Sequence, residues 1–193
     1  KTPRISDPTY ISELQSVCVR EKIDCLIPTI DTDLLILSQR KDEFKALGTQ
    51  VLISAEDKIR LCRDKRLTSS FFVECGLLAP MPVDAVEKYS SGFPAFIKPK
   101  DGSSSINAFK VDDQADLEAR ASQVFDYIIQ PFVEGTEYTV DIFCDFEGNP
   151  IYITPRERIA VRSGEVLKTR ICQDETIIAE CQKIIDQFKP CGP

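Results

Sequence analysis

The chain has 193 residues, with 24 Lys and Arg against 31 Asp and Glu for a formal net charge of −7; 42% of residues are hydrophobic and 28% charged. Those are globular proportions, which exclude disordered, collagenous and membrane-spanning chains, and the length suits one large domain or two small ones. The acidic balance argues against nucleic acid as a general partner, because binding to a phosphate backbone normally needs a basic surplus.

No histidine occurs. That removes Ser-His-Asp and Cys-His nucleophilic catalysis and HExxH zinc chemistry, so any reaction must rely on carboxylates, lysines, arginines or a bound cofactor. The eight cysteines, at 18, 25, 62, 75, 144, 172, 181 and 191, contain no CxxC pair. They read as reduced cysteines of a cytosolic protein, with Cys18, Cys62, Cys75, Cys144 and Cys181 as packing residues. The longest apolar runs, such as Leu34-Leu35-Ile36-Leu37, fall far short of the roughly 18 residues that a membrane span needs. No signal-peptide pattern opens the chain, so a cytoplasmic location without a membrane partner is expected.

In chain order, Asp7-Pro8 offers a capping side chain before a proline, and Ile11, Leu14 and Cys18 follow at helical spacing. Residues 24–29 form a short apolar run suited to a buried parallel strand. Asp31-Thr32-Asp33 can cap a helix over 34–47 that stops at Gly48, and 50–54 is a second short strand. Helix and strand in alternation predict a parallel, doubly wound sheet, here incomplete because no strand precedes the first helix. Missing N-terminal sequence is the expectation.

Ser54-Ala55-Glu56-Asp57 approximates a capping box. It leads into helical stretches that pass Asp64-Lys65 and end at Gly76, and a domain boundary is expected near residue 55. Residues 93–111 predict a hairpin of strands around a Lys100–Ser105 turn. Residues 113–124 read as a helix and 127–130 as a buried strand. From 137 to 144 the alternation puts Tyr138, Val140, Ile142 and Cys144 on one face and Glu137, Thr139 and Asp141 on the other. Strands over 151–159 and 166–172 follow, joined by a turn at Ser163-Gly164-Glu165. The last helix carries an apolar stripe at 177, 178, 181, 184, 185 and 188.

Three segments could carry chemistry. Phe96-Ile97-Lys98-Pro99-Lys100-Asp101-Gly102-Ser103-Ser104-Ser105 places a strand-end lysine beside a glycine–serine loop, which is the donor set that phosphate oxygens need; an ordinary turn with an exposed lysine is the alternative. Between 156 and 170, Arg156, Arg158, Arg162, Lys168 and Arg170 outnumber Glu157 and Glu165. By strand parity Arg156 and Arg158 share a face, as do Lys168 and Arg170, and a hairpin that joined the two pairs would present four cations to an anionic ligand. A salt-bridged, solvated face is the alternative there. The third segment is the linker through Gln130-Pro131-Phe132-Val133-Glu134-Gly135-Thr136-Glu137, able to offer backbone groups to a flat ligand.

With Asp64-Lys65 before Gly76 and Pro80, Phe93–Pro99 with its glycine–serine loop, and Gln130–Asp141 in this order, residues 55–193 resemble the ATP-grasp superfamily. The resemblance is greatest to members similar to the carbamoyl-phosphate synthase large chain. It implies an α/β fold of the α+β grasp type: a partial pre-ATP-grasp α/β domain over 1–55 with a partial doubly wound parallel sheet, a small ATP-grasp subdomain over 56–130 and part of the large one over 131–193, both with antiparallel sheets. It implies that Lys65 and Lys98 contact ATP phosphates, that Gly102, Ser103, Ser104 and Ser105 fold over them, that the backbone of Gln130, Pro131, Phe132 and Val133 meets adenine, and that Glu137 binds ribose. The implied chemistry activates a carboxylate as an acyl phosphate for attack by a nucleophile, usually an amine. Such a reaction depends on positioning and charge neutralisation more than on a side-chain base.

Arg156, Arg158, Lys168 and Arg170 would then face the transferred phosphoryl group or the acceptor carboxylate. The Mg²⁺ of the family is expected on a Glu and a Glu-x-Asn pair at and beyond the end of this chain, leaving no metal ligand within it. The resemblance leaves open a ligase present as a fragment that is truncated at both ends and inactive as it stands, and a non-catalytic nucleotide-binding or structural grasp module. A flavodoxin-like regulator built on 1–55, with Asp31 and Asp33 as its acidic cluster, explains only the first third of the chain.

Overall fold

The computed structural model describes residues 2–102, 105–162 and 164–192. The first helix, α1 (Tyr10–Glu21), begins at Thr9; Asp7 does not cap it directly but accepts from the Thr9 backbone N–H at 2.8 Å. Helix α2 (Asp31–Ala46) starts one turn earlier than its apolar pattern, so Asp31 and Asp33 lie in its first turn, where carboxylates favour the positive helix end. Between and after them, β1 (Cys25–Leu26) and β2 (Gln50–Val51) pair in parallel, Cys25 with Gln50 and Leu26 with Val51. The pairing is the expected one, but each strand is only two residues long.

Helix α3 (Glu56–Arg63) follows, with Ser54 engaged elsewhere rather than in a capping box. Helix α4 (Lys65–Glu74) has a true side-chain cap: Asp64 accepts the Arg66 backbone N–H at 2.9 Å. After a short 3-10 turn at Val86–Lys88 come β3 (Ala95–Pro99), β4 (Phe109–Val111), α5 (Gln114–Ala121) and β5 (Tyr127–Pro131). The antiparallel sheet runs β4-β3-β5, with Ile97 opposite both Phe109 and Ile129. A second antiparallel sheet is ordered β6 (Tyr138–Cys144), β7 (Pro150–Arg162), β8 (Glu165–Ile171). Helix α6 (Glu175–Phe188) closes the chain, and Asp174 accepts from the backbone N–H groups of Thr176 and Ile177 at its start.

The chain divides into two compact units that do not follow sequence order: Lys1–Arg60, Ile142–Tyr152 and Phe188–Pro193 in one, Leu61–Asp141 and Ile153–Gln187 in the other. Unit 1 packs Cys18, Leu37, Phe44, Val51, Ile53 and Ile59 together. Unit 2 has Ala95, Ile97, Val111, Leu117 and Ile129 under α5. Each large side chain so buried contributes about 1.5–3 kcal/mol. That core holds one face of β3 rigid and leaves Phe96 and Lys98, by alternation, on the other. Cys18, Cys75, Cys144 and Cys181 are buried, whereas Cys62 is exposed on α3 and does not belong to the core.

Candidate functional site

Phe96 and Lys98 open a cleft of about 680 Å³ within unit 2, completed by Gln130 of β5 and the segment Pro131–Glu137. Gln130 stands directly opposite Phe96 in the register, which is why the strand-end lysine and the linker share one wall. The Phe96 and Phe132 ring centroids lie 6.2 Å apart, and Lys110 of β4 sits 4.9 Å from the Phe132 centroid, a cation–π contact. Of the sequence-based binding residues, Lys98, Gln130, Pro131, Phe132, Val133 and Glu137 all line this cleft. Phe96 joins them unforeseen; its position two residues before Lys98, on the same strand face, was the available signal.

Lys98 has no hydrogen bond or ion pair among the described residues, its ammonium lying 5.6 Å from the Phe96 centroid. Burial, and after it the charge of Lys65, holds its pKa below the usual lysine value. Lys65 is also held below that value by burial, which outweighs the opposing charges of Asp101 and Asp64. Its ammonium donates to the carbonyls of Gly102 at 3.0 Å and Lys100 at 3.3 Å. Two partly desolvated ammoniums that feel one another attract an anion and are relieved by it. Gly102 and Ser105 both have positive φ, 109° and 53°. Ser103 and Ser104 of the expected phosphate loop, and Ser163 of the later turn, lie outside the described residues.

The basic segment differs from its expectation. Glu157 pairs with Arg170, Arg158 with Thr169 and Arg156 with Ile171, so Arg156 and Arg158 lie on one face of the sheet and Arg170 on the other. An irregularity between Arg158 and Ala160 sets Ala160 opposite Lys168, on the Arg170 side. The four cations therefore do not form one basic face. Strand β6 meets the first pair instead: Asp141 accepts from Arg156, one contact at 3.0 Å, and Arg158 donates to Thr139 Oγ1 at 3.1 Å and the Gly164 carbonyl at 3.0 Å. Arg158 Nε is buried and lies 3.2 Å from Glu137 Oε1, an ion pair without hydrogen-bond alignment. Glu137 thus carries a cationic partner on β7 while it lines the cleft. Arg170 is exposed and paired with Glu157.

Among the described residues no group of three or more Cys, Asp or Glu is placed to hold a metal ion. Glu147-Gly148-Asn149 has the spacing of a Glu-x-Asn pair, but it forms the turn between β6 and β7, where Asn149 donates to Asp145 at 2.9 Å. The residues described do not fit the family's magnesium site, and no metal step is assigned to them. Among them no helix is long and apolar enough to cross a membrane.

Residues 62–192, well over half of the chain, match the family description of the ATP-grasp domain, and residues 1–52 match that of the PylC-like N-terminal domain. The chain belongs to the ATP-grasp family, as residues 64–141 led one to expect. It is 33% identical over 108 residues to a D-alanine–D-alanine ligase of Corynebacterium aurimucosum, a match to 50% of this chain and 29% of that ligase. It is 25% identical over 155 residues to D-alanine–D-alanine ligase B of Clostridium perfringens, 68% of this chain and 50% of the relative. The L-amino acid ligase of Bacillus licheniformis superposes with a TM-score of 0.71 at 16% identity, over 97% of this chain and 48% of that one. These matches span half or less of each relative's length.

Proposed function

We propose that this chain is the ATP-binding part of an ADP-forming carboxylate–amine ligase. The observation that carries the reading is Lys98, partly desolvated and without an ion pair among the described residues, at the head of a cleft whose other walls include Gln130–Val133 and Glu137. Lys98 and Lys65 would hold phosphate oxygens, the backbone of 130–133 would meet the base, and Glu137, braced by Arg158, would accept from ribose hydroxyls. ATP supplies the phosphoryl group that turns a carboxylate into an acyl phosphate; an amine then forms the new bond as inorganic phosphate leaves. The lysines position and neutralise the triphosphate, which is the larger share of such catalysis. Of the basic segment, Arg158 is the residue that touches the cleft's own wall, and Arg156, Lys168 and Arg170 contribute to acceptor binding only through the complete protein.

The acceptors are a small-molecule carboxylate and an amine or similar nucleophile, and names of similar proteins such as D-alanine–D-alanine ligase support that class. The eight free cysteines support a reducing, cytoplasmic setting. Calorimetric titration of ATP, with and without Mg²⁺, into this chain and into Lys98→Ala tests the reading. Saturable binding that is lost in the variant is the expected result. Equal binding in both, or a chain that binds no nucleotide, overturns it.

A further inference from the structure

Unit 1 carries a cleft of its own, of about 310 Å³, whose walls include Lys41, Lys45, Lys58 and Lys189 and a single carboxylate, Asp42. It shares no lining residue with the cleft around Lys98. Lys41 and Lys45 stand one turn apart on α2 and so occupy the same helix face. Among the described residues neither these two nor Lys189 has an ion pair. The contrast with their arginine neighbours is sharp: Arg40 is paired with Glu43 at 2.7 Å and Arg60 with Glu56 at 2.6 Å.

Lys58 is fixed in place by donating to the Lys189 carbonyl at 2.6 Å, and its ammonium lies 5.6 Å from the Phe188 ring centroid. Ser54, nearly buried, accepts the Cys191 backbone N–H at 2.9 Å and keeps its own hydroxyl hydrogen for another acceptor. The Cys191 thiol feels these charges: burial pushes its pKa up, the charge of Lys41, the Ile53 backbone and the charge of Lys58 pull it down, and Asp145 adds to the rise. Lysines of α2, α3 and the C-terminal segment thus line one cleft of a chain that is otherwise acidic, four cations against Asp42 in the lining and Asp145 close enough for its charge to act on Cys191.

We propose that this cleft binds a small oligophosphate anion, with Lys41, Lys45, Lys58 and Lys189 as its counter-charges. Lysine ammoniums are compact point charges that suit phosphate oxygens spread over several positions, whereas a planar carboxylate is better matched by the arginine fork. The cleft has less than half the volume of the one around Lys98, which favours a compact anion over a whole nucleotide.

The test uses inorganic triphosphate, titrated calorimetrically into the 193-residue chain carrying Lys98→Ala, so that the other cleft lacks its lysine. The same chain with Lys41→Gln and Lys45→Gln added is the comparison, and thermal unfolding checks that both remain folded. Saturable binding to the first chain, about tenfold or more weaker in the second, is expected, and it should fade as salt is added. No saturable binding to the Lys98→Ala chain, or equal binding to both, overturns the proposal. Should the added pair unfold the chain, Lys189→Gln in the same background is judged by the same criterion.

Discussion

Lys65 is tied to the loop after β3 from both backbone and side chain: its N–H donates to the Lys100 carbonyl at 3.0 Å, and its ammonium donates to the carbonyls of Gly102 at 3.0 Å and Lys100 at 3.3 Å. The first residue of α4 therefore fixes the chain that leaves Lys98. Lys65→Met removes both side-chain ties and one of two cations, and ATP affinity should fall by about tenfold or more, the loss expected for a charge-assisted contact. Calorimetry with Lys65→Met and Lys65→Arg checks this; undiminished affinity in the methionine variant would separate Lys65 from the site.

Lys98 is a cation whose folded pKa lies below its ordinary value, so the unfolded chain binds more protons at alkaline pH and wild-type stability rises with pH in that window. At neutral pH the buried charge costs stability. Lys98→Met should accordingly raise the Tm at pH 7, and the advantage should shrink as pH climbs toward 10.5, the ordinary lysine pKa. A Tm difference that is constant across that range would contradict the burial argument.

Asp141 shows the opposite sign. The Arg156 guanidinium holds its carboxyl below the ordinary 3.8, so the pair's contribution is complete above that value and is lost as pH falls through the folded pKa. Since the carboxylate is 45% exposed, the gain is modest: Asp141→Asn should cost about 0.5–1 kcal/mol at pH 7, and the gap to wild type should close in strongly acidic buffer. Urea titrations at several pH values read both.

Arg158 and Arg170 should part company. The Arg158 side chain is 16% exposed and reaches Glu137, Thr139 and Gly164, whereas that of Arg170 is 68% exposed with Glu157 as its partner. Arg158→Ala should cost about 2 kcal/mol, because it leaves partly buried acceptors unsatisfied. Arg170→Ala should leave the Tm within error. Equal losses would mean that the ladder between β6 and β7 carries no special weight.

Gly148 has φ +81°, and a Cβ there would stand 2.9 Å from Lys189 Cβ and 3.0 Å from its Cα. Gly148→Ala therefore meets backbone that cannot yield as a side-chain tip can. A loss of about 1–2 kcal/mol is expected from the φ penalty and the clash together, read as a lowered Tm.

Elements whose signal is local were legible in the sequence. The apolar stripe of α6 and the alternation of β6 depend on neighbours a few residues away, and each stands where its pattern put it. The lysine at the end of β3 and the 130–137 linker were legible as separate segments, and the pairing of β3 with β5 makes them one cleft. What parity could not supply was register. Knowing that Arg156 and Arg158 share a face, and Lys168 and Arg170 another, does not say whether the two faces are the same; the pairing of Glu157 with Arg170 decides it. Nor could the count of charges show that the acidic face of β6 would meet Arg156 and Arg158, since that needs the strands side by side.

The division of the chain has a topological consequence. The backbone passes from one unit to the other after Arg60, after Asp141, after Tyr152 and after Gln187. Neither unit is a continuous stretch that could be excised and expressed as a single piece. A protease that nicks the chain between Arg60 and Leu61 would leave 1–60 held within its own unit by contacts such as Lys58 with the Lys189 carbonyl and Ser54 with the Cys191 N–H, so the products should still travel together on a native sizing column and separate only under denaturing conditions.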